Sequence, residues 1–146
     1  MVDRHTNIIA SFIVLKKDDQ VLLAKRQNTG YHDGDYSLVA GHVELGETYT
    51  QAIIREAKEE ANIDLIPNKL VVTYIQHRKS QTDGSERVDA YFLAEEWLGE
   101  IKNLEPEKCS DLNWFSIDKL PENIVPAVRH ALECIQKDIH YSEFGW

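Results

Sequence analysis

The chain has 146 residues, 42% of them apolar and 28% charged, with 7 Gly and 4 Pro, a composition that fits one soluble globular domain and excludes collagen-like, coiled-coil and low-complexity architectures. Its 25 acidic residues outnumber 16 basic ones, for a formal charge of -9, which argues against a grip on a nucleic-acid polymer or an anionic membrane. Cys109 and Cys134 fall in no CxxC or Cys/His array, so reduced core thiols and a cytoplasmic location are expected rather than a disulfide framework.

The longest apolar run, Ile8 to Leu15 with Ser11 inside it, is far short of the roughly 20 residues that span a bilayer. No small-residue cleavage site accompanies it, so a buried strand is expected there and not a signal peptide. Asn7 to Lys16 and Val21 to Arg26 read as two strands of a hairpin, turning at Lys17 to Gln20. QNTGYHDGD, residues 27 to 35, is a loop, and a short strand from Tyr36 to Val39 follows. Thr48 to Ala61 has the helical period, with Ala57 and Ala61 stacking on Ile53 and Ile54 and with Thr48 and Gln51 spaced as a capping box.

Leu70 to His77 and Val88 to Trp97 are expected strands around the turn SQTDGS, and Leu112 to Ile117 another. Val125, Val128, Leu132 and Ile135 repeat at helical spacing, with Asn123 as a cap and Pro126 in the first turn. The tail YSEFGW has no periodicity and is left to pack on the body or on a partner. Without repeats or linkers, these elements belong to one mixed α/β layer structure.

On a helix, Glu56, Glu59 and Glu60 fall within an arc of roughly 100°. Like charges at these spacings, near the C-terminal end of the dipole, oppose local helix energetics. The stripe Ile53, Ile54, Ala57 and Ala61 lies beside the arc, which places the carboxylates at the edge of the core. A hard divalent cation seeks such oxygens; a solvated glutamate face is the alternative, and spacing alone leaves both open.

The wider segment narrows the choice. GHVELGETYTQAIIREAKEEANI, residues 41 to 63, resembles the Nudix box: Gly41, five residues, Glu47, seven residues, Arg55-Glu56, an aliphatic at Ala57, then Glu59-Glu60 and an aliphatic at Ile63. Six fixed identities at roughly one in fifteen each would coincide at a given register about once in ten million trials. Two positions depart from the pattern: Ala57 stands for a larger aliphatic, and Asn62 for a glycine after the helix, where Asn tolerates the left-handed conformation.

The resemblance implies one Nudix domain over 1–146, α/β in class, a Nudix-type α/β/α sandwich with a mixed central sheet. It implies hydrolysis of a nucleoside diphosphate linked to another moiety, by water attack at phosphorus with Mg²⁺ or Mn²⁺. Carried over by position, Glu56, Glu59 and Glu60 are metal ligands, with the Ala40 carbonyl as a further ligand and Glu56 also a candidate base. Arg55 and Glu47 are expected to pair and brace loop and helix. A further carboxylate is sought among Glu105, Glu107 and Asp111 in LEPEKCSD. Arg26, Lys25 and Arg78 are candidate phosphate contacts, and His42, inside the box, is another; each also reads as an ordinary surface or structural residue.

Specificity is expected from the loop carrying Tyr31 and from the strands carrying Tyr74, Tyr91 and Phe92, although strand aromatics are usually core. QHRKSQT, residues 76 to 82, lacks the proline of the ADP-ribose branch and the tyrosine of the dinucleoside-polyphosphate branch, and zinc-ribbon cysteines and the downstream motif of the NADH branch are absent. Elimination leaves a nucleoside triphosphate split into monophosphate and pyrophosphate as the leading expectation. Alternatives are a nucleotide-sugar or other diphosphate-linked substrate, a non-catalytic nucleotide-binding regulator, and an isoprenoid diphosphate isomerase. The expected partner is a small nucleotide; a homodimer is left open as the assembly.

Overall fold

The computed structural model describes residues 2–146. Strand β1 (Ile8–Lys17) turns into β2 (Gln20–Arg26); β3 (Tyr36–Ser37) and β4 (Val39–His42) precede helix α1 (Tyr49–Ala61), and β5 (Asp64–Leu65) follows. Then come β6 (Val71–Lys79), β7 (Glu86–Ala94), β8 (Trp97–Leu98), β9 (Cys109–Ser116), helix α2 (Pro126–Gln136) and β10 (Tyr141–Phe144). The main sheet runs β10-β6-β7-β1-β2-β3, with β4 on β1 and β9 on β2. It is mixed: β1 lies parallel to β7 and β10 parallel to β6, while the other pairings are antiparallel.

Strand β1 serves two branches. Its first half, Ala10 to Ile13, pairs with β4, whereas Lys16 and Lys17 pair with β2. The branches diverge from this shared strand, and a cleft opens between them.

Alternation along β1 sends its side chains to opposite faces. Ile13 and Leu15 join Val39, Ala90 and Phe92 beneath Ile53, Ala57 and Ala61 of α1. Ala10, Phe12 and Val14 join Tyr74 and Tyr91 beneath Val128, Ala131 and Leu132 of α2. The result is an α/β/α sandwich, the expected fold class.

Local signals in α1 act as their chemistry suggests. Thr48 Oγ1 accepts from the Gln51 N–H at 3.1 Å and Gln51 Oε1 accepts from the Thr48 N–H at 2.9 Å, a complete capping box. Asn62 closes the helix at φ 64° and sends its N–H back to the carbonyls of Ala57 and Lys58.

Other boundaries move for tertiary reasons. The short strand breaks at Leu38 into β3 and β4, because Tyr36 and Ser37 pair with β2 whereas Val39 to His42 pair with β1. Trp97 leaves β7 to pair with β5. Strand β9 begins at Cys109, earlier than expected, since its pairing with β2 continues to Arg26 through an irregularity at Lys25 and Arg26. Asn123 does not cap α2: its Nδ2 donates to the Gly34 carbonyl, and Val125, with no side-chain cap bond, precedes Pro126. The tail packs on the body as β10, pairing Tyr141–Phe144 with Ile75–Arg78. Both cysteines are free, Cys134 buried and Cys109 half-buried. No helix among the described residues is long and apolar enough to cross a membrane.

Candidate active site

A cleft of about 970 Å³ is lined by the start of β1, the ends of β2 and β4, the loop at Asn28 to Tyr31, the outer face of α1, and residues of β6, β7 and the segment before β9. The three box glutamates face it together with Glu44 and Glu105. So do Lys25, Arg26, Arg55, Arg78, Arg87 and Lys108. A chain of net charge -9 thus places six cations along this cleft, a concentration that composition conceals.

Glu60 lies deepest of the three. Its Oε2 accepts from the Ala40 N–H at 3.2 Å, and burial, then the neighbouring Glu56, pushes its carboxyl up to about 8. Burial also raises Glu56, against the pull of Arg55. Glu59 is half exposed. Gly41 makes room for the cluster: a Cβ there would stand 2.1 Å from Glu56 Oε1 and 2.6 Å from its Cγ. Gly41→Ala is therefore expected to swing Glu56 out of place, cutting kcat by about tenfold or more while leaving the melting temperature within about 2 °C of wild type; unaltered turnover would show that the position of Glu56 is immaterial.

Arg55 organises the rim. Its Nε and Nη2 donate to Glu47 at 2.7 and 2.9 Å, a bidentate pair, and Nη2 also donates to the His42 carbonyl at 3.2 Å. Its Nη1 donates to Glu56 at 2.8 Å and Glu59 at 3.4 Å. The hydrogen bonds from Arg55, and then from the Glu44 N–H, hold the Glu47 carboxyl down at about 2. A folded-state value below the ordinary 4.5 means that this pair stabilises the fold above that pH and loses its effect as pH falls toward about 2. Arg55→Ala should lower the melting temperature near neutral pH, and its deficit should shrink through that acid window. Equal melting temperatures for variant and wild type at pH 7 would show the pair to be structurally idle.

A divalent cation suits this donor set chemically. All the donors are hard oxygens, burial and the neighbouring Glu56 hold the Glu60 carboxyl toward its neutral form, and the cluster lines the cleft. Among the described residues no three His, Cys, Asp or Glu side chains are drawn together as a ready-made metal cluster, because Arg55 stands between Glu56 and Glu59 as their counter-ion.

The remaining expected residues divide. Of the loop carboxylates, Glu105 lines the cleft and acts electrostatically on Glu56 and Glu60. Asp111 instead accepts from the Tyr36 hydroxyl, and the exposed Glu107 is engaged through its carbonyl by Asn28. Arg26 and Tyr31 brace each other: the guanidinium donates to the Tyr31 carbonyl at 2.6 Å and lies 5.2 Å from its ring centroid. His42 Nε2 meets Arg87 Nη1 at 3.2 Å. Arg78 is not a surface cation; it is buried in an ion pair with Asp89 at 2.5 Å.

Arg87 and Asp89 were not singled out by sequence reasoning. The available signal was a lone acid in the apolar run VDAYFLA, two positions from an arginine and therefore on the same strand face.

Comparison with known proteins decides the family. The family model of the NUDIX domain matches residues 5–134. The chain belongs to the NUDIX family. It is 37% identical over 110 residues to the NAD-capped RNA hydrolase NudC of Vibrio cholerae, covering 75% of this chain and 37% of that protein. It is 34% identical over 109 residues to the protein of the same name from Escherichia coli strain SMS-3-5, covering 75% and 39%. The chain thus spans about two fifths of the length of these curated relatives. Among solved structures, the MutT NUDIX hydrolase from Burkholderia pseudomallei superposes with a TM-score of 0.80 at 28% identity, over 88% of this chain and 98% of that one. The three-layer sandwich described above is the Nudix fold.

Proposed function

We propose that this Nudix chain hydrolyses the phosphoric anhydride of a nucleoside diphosphate linked to another moiety, with Mg²⁺ or Mn²⁺ held by Glu56, Glu59, Glu60 and the Ala40 carbonyl. The leading substrate is a nucleoside triphosphate, cleaved to monophosphate and pyrophosphate. The supporting observation is the buried Glu60 carboxyl with Glu56 and Glu59 beside it in a cleft rimmed by arginines and lysines.

The bound cation supplies positive charge at the transferring phosphoryl group. The rest is done by side chains. Glu56, raised by burial, accepts the proton of the attacking water; the new P–O bond forms as the bond to the bridging oxygen breaks, and the leaving phosphate takes that electron pair. Arg55 and Glu47 hold the helix against the loop. Lys25, Arg26, Arg87 and Lys108 offset phosphate charge, and His42 steadies Arg87.

A second reading has its own support: the 37%-identical relative is named for hydrolysis of NAD-capped RNA, so a dinucleotide with a pyrophosphate bridge, free or on an RNA end, is the rival substrate. Nucleoside triphosphates, nucleotide sugars, NAD and NAD-capped RNA should be assayed with Mg²⁺ and the products identified by mass. Monophosphate plus pyrophosphate from a triphosphate is the expected result; a preference for NAD or its capped RNA would select the second reading. Absence of turnover on every substrate would overturn the enzymatic proposal. Binding of a non-hydrolysable triphosphate should weaken by at least about tenfold in chelator, because the glutamates would then face the phosphates unneutralised; equal affinity would remove the metal assignment.

A further inference from the structure

Four buried side-chain atoms among the described residues have no hydrogen-bond partner: Asn7 Oδ1, Gln76 Oε1, Asp89 Oδ1 and the Tyr91 hydroxyl. An unpaired buried polar atom costs free energy unless something completes it. Three of the four share one place. Gln76 and Asp89 are direct cross-strand partners on β6 and β7, and Tyr91 lies two positions along β7 on the same face.

The partners already made fix the orientation of what is left. Gln76 Nε2 donates to the Tyr74 hydroxyl and to the Ala127 carbonyl, both at 3.1 Å, which leaves Oε1 as a pure acceptor. Arg78 Nε occupies Asp89 Oδ2 at 2.5 Å, which leaves Oδ1 as a second acceptor. Across β1 the residue in register with Asp89 is Ala10, too small to fill the space above it. Ala10, Arg78 and Tyr91 all line the cleft that holds the box glutamates. A molecule entering there reaches, at Tyr91, a hydroxyl free to donate, and the two acceptors lie directly behind the lining, Asp89 in register with Ala10 and Gln76 in register with Asp89, both fully buried.

We infer that Gln76, Asp89 and Tyr91, with Arg78 positioning Asp89, read the hydrogen-bonding edge of the nucleobase and select one with two neighbouring N–H donors beside a carbonyl, the pattern of guanine. N1–H and the 2-amino group match the two acceptors, and O6 matches the Tyr91 hydroxyl. Adenine and cytosine place an acceptor beside their amino group, uracil flanks one N–H with two carbonyls, and hypoxanthine lacks the 2-amino group. This deepens the proposed function, on which it rests for the identity of the ligand as a nucleotide.

The test compares guanosine with inosine nucleotides, which differ by the 2-amino group. For the wild type, kcat/KM for guanosine triphosphate should exceed that for inosine triphosphate by at least about tenfold, mainly through KM, and with Mg²⁺ guanosine monophosphate should bind tighter than inosine monophosphate by a similar factor in calorimetry. Asp89→Asn and Gln76→Met, which alter the two acceptors and are confirmed as folded by thermal melts, should bring the binding ratio to within about threefold, whereas Tyr91→Phe, whose hydroxyl meets the O6 that both bases carry, should weaken both monophosphates and leave their ratio unchanged. Equal binding of the two monophosphates, no binding of either, or an undiminished ratio in both acceptor variants overturns the inference. Tighter guanosine binding without hydrolysis of any nucleotide would defeat the proposed function and leave the base reader standing.

Discussion

Glu60→Gln should lower turnover by at least about two orders of magnitude, because charge stabilisation at phosphorus is the largest share of this chemistry, and should at the same time raise the melting temperature of the metal-free protein. The amide keeps an oxygen for the Ala40 N–H but carries no charge to desolvate. The sign follows from linkage. A carboxyl raised from 4.5 to about 8 in the fold keeps its proton more tightly there than in the unfolded chain, so wild-type stability erodes as pH climbs through that interval. Variant and wild type should therefore melt alike near pH 4.5 and diverge progressively toward pH 8 in chelator. Near-normal turnover with Mg²⁺ would remove Glu60 from the chemistry, and coincident melts at pH 8 would show that its burial imposes no strain.

The largest stability effect is expected at Arg78. Arg78→Met keeps much of the stem but strands Asp89, which is fully buried, without its counter-charge. Breaking a buried pair in this way costs about 3 to 5 kcal/mol, enough to lower the melting temperature of a chain this size by about 10 °C or more. Without the guanidinium the Asp89 carboxyl rises further above its unfolded value, so the deficit should narrow as the medium is acidified from pH 7 toward pH 5. Arg78→Met combined with Asp89→Leu should recover part of the loss. A single variant as stable as wild type would show that Asp89 finds another partner or is already neutral.

The contrast between Glu60 and Asp89 explains which parts of the site were legible in the sequence. The glutamates announce themselves because a helix converts spacing into a face, and because Gly41, Glu47 and Arg55 stand at fixed intervals around them. Asn62 and the capping box were legible for the same local reason. Asp89 and Arg87 acquire their role only when β7 is laid parallel to β1 and antiparallel to β6, and no local pattern specifies that register. Asn123, a sound cap by residue type, was drawn instead to the Gly34 carbonyl, a competition that exists only in the folded chain. Likewise Arg78 read as a strand-end cation, whereas pairing with β7 buries it, and Asp111 was taken up by Tyr36 on the neighbouring branch.

The parallel ladder between β1 and β7 carries a consequence for how the chain reaches this state. Ile8 pairs with Arg87 and Leu15 with Ala94, so the ladder closes over the whole intervening stretch, including the box. Helix α1 has the caps to flicker into existence early, yet its apolar stripe finds Ala90 and Phe92 only after that distant closure. Long-range pairing of this kind slows folding to the millisecond-to-second range of high contact order. Until the ladder zips, the glutamates are dispersed on a fraying helix. Assembly of the candidate site is thus tied to a long-range closure of the sheet, and a nascent Nudix helix without that sheet has nowhere to gather charge.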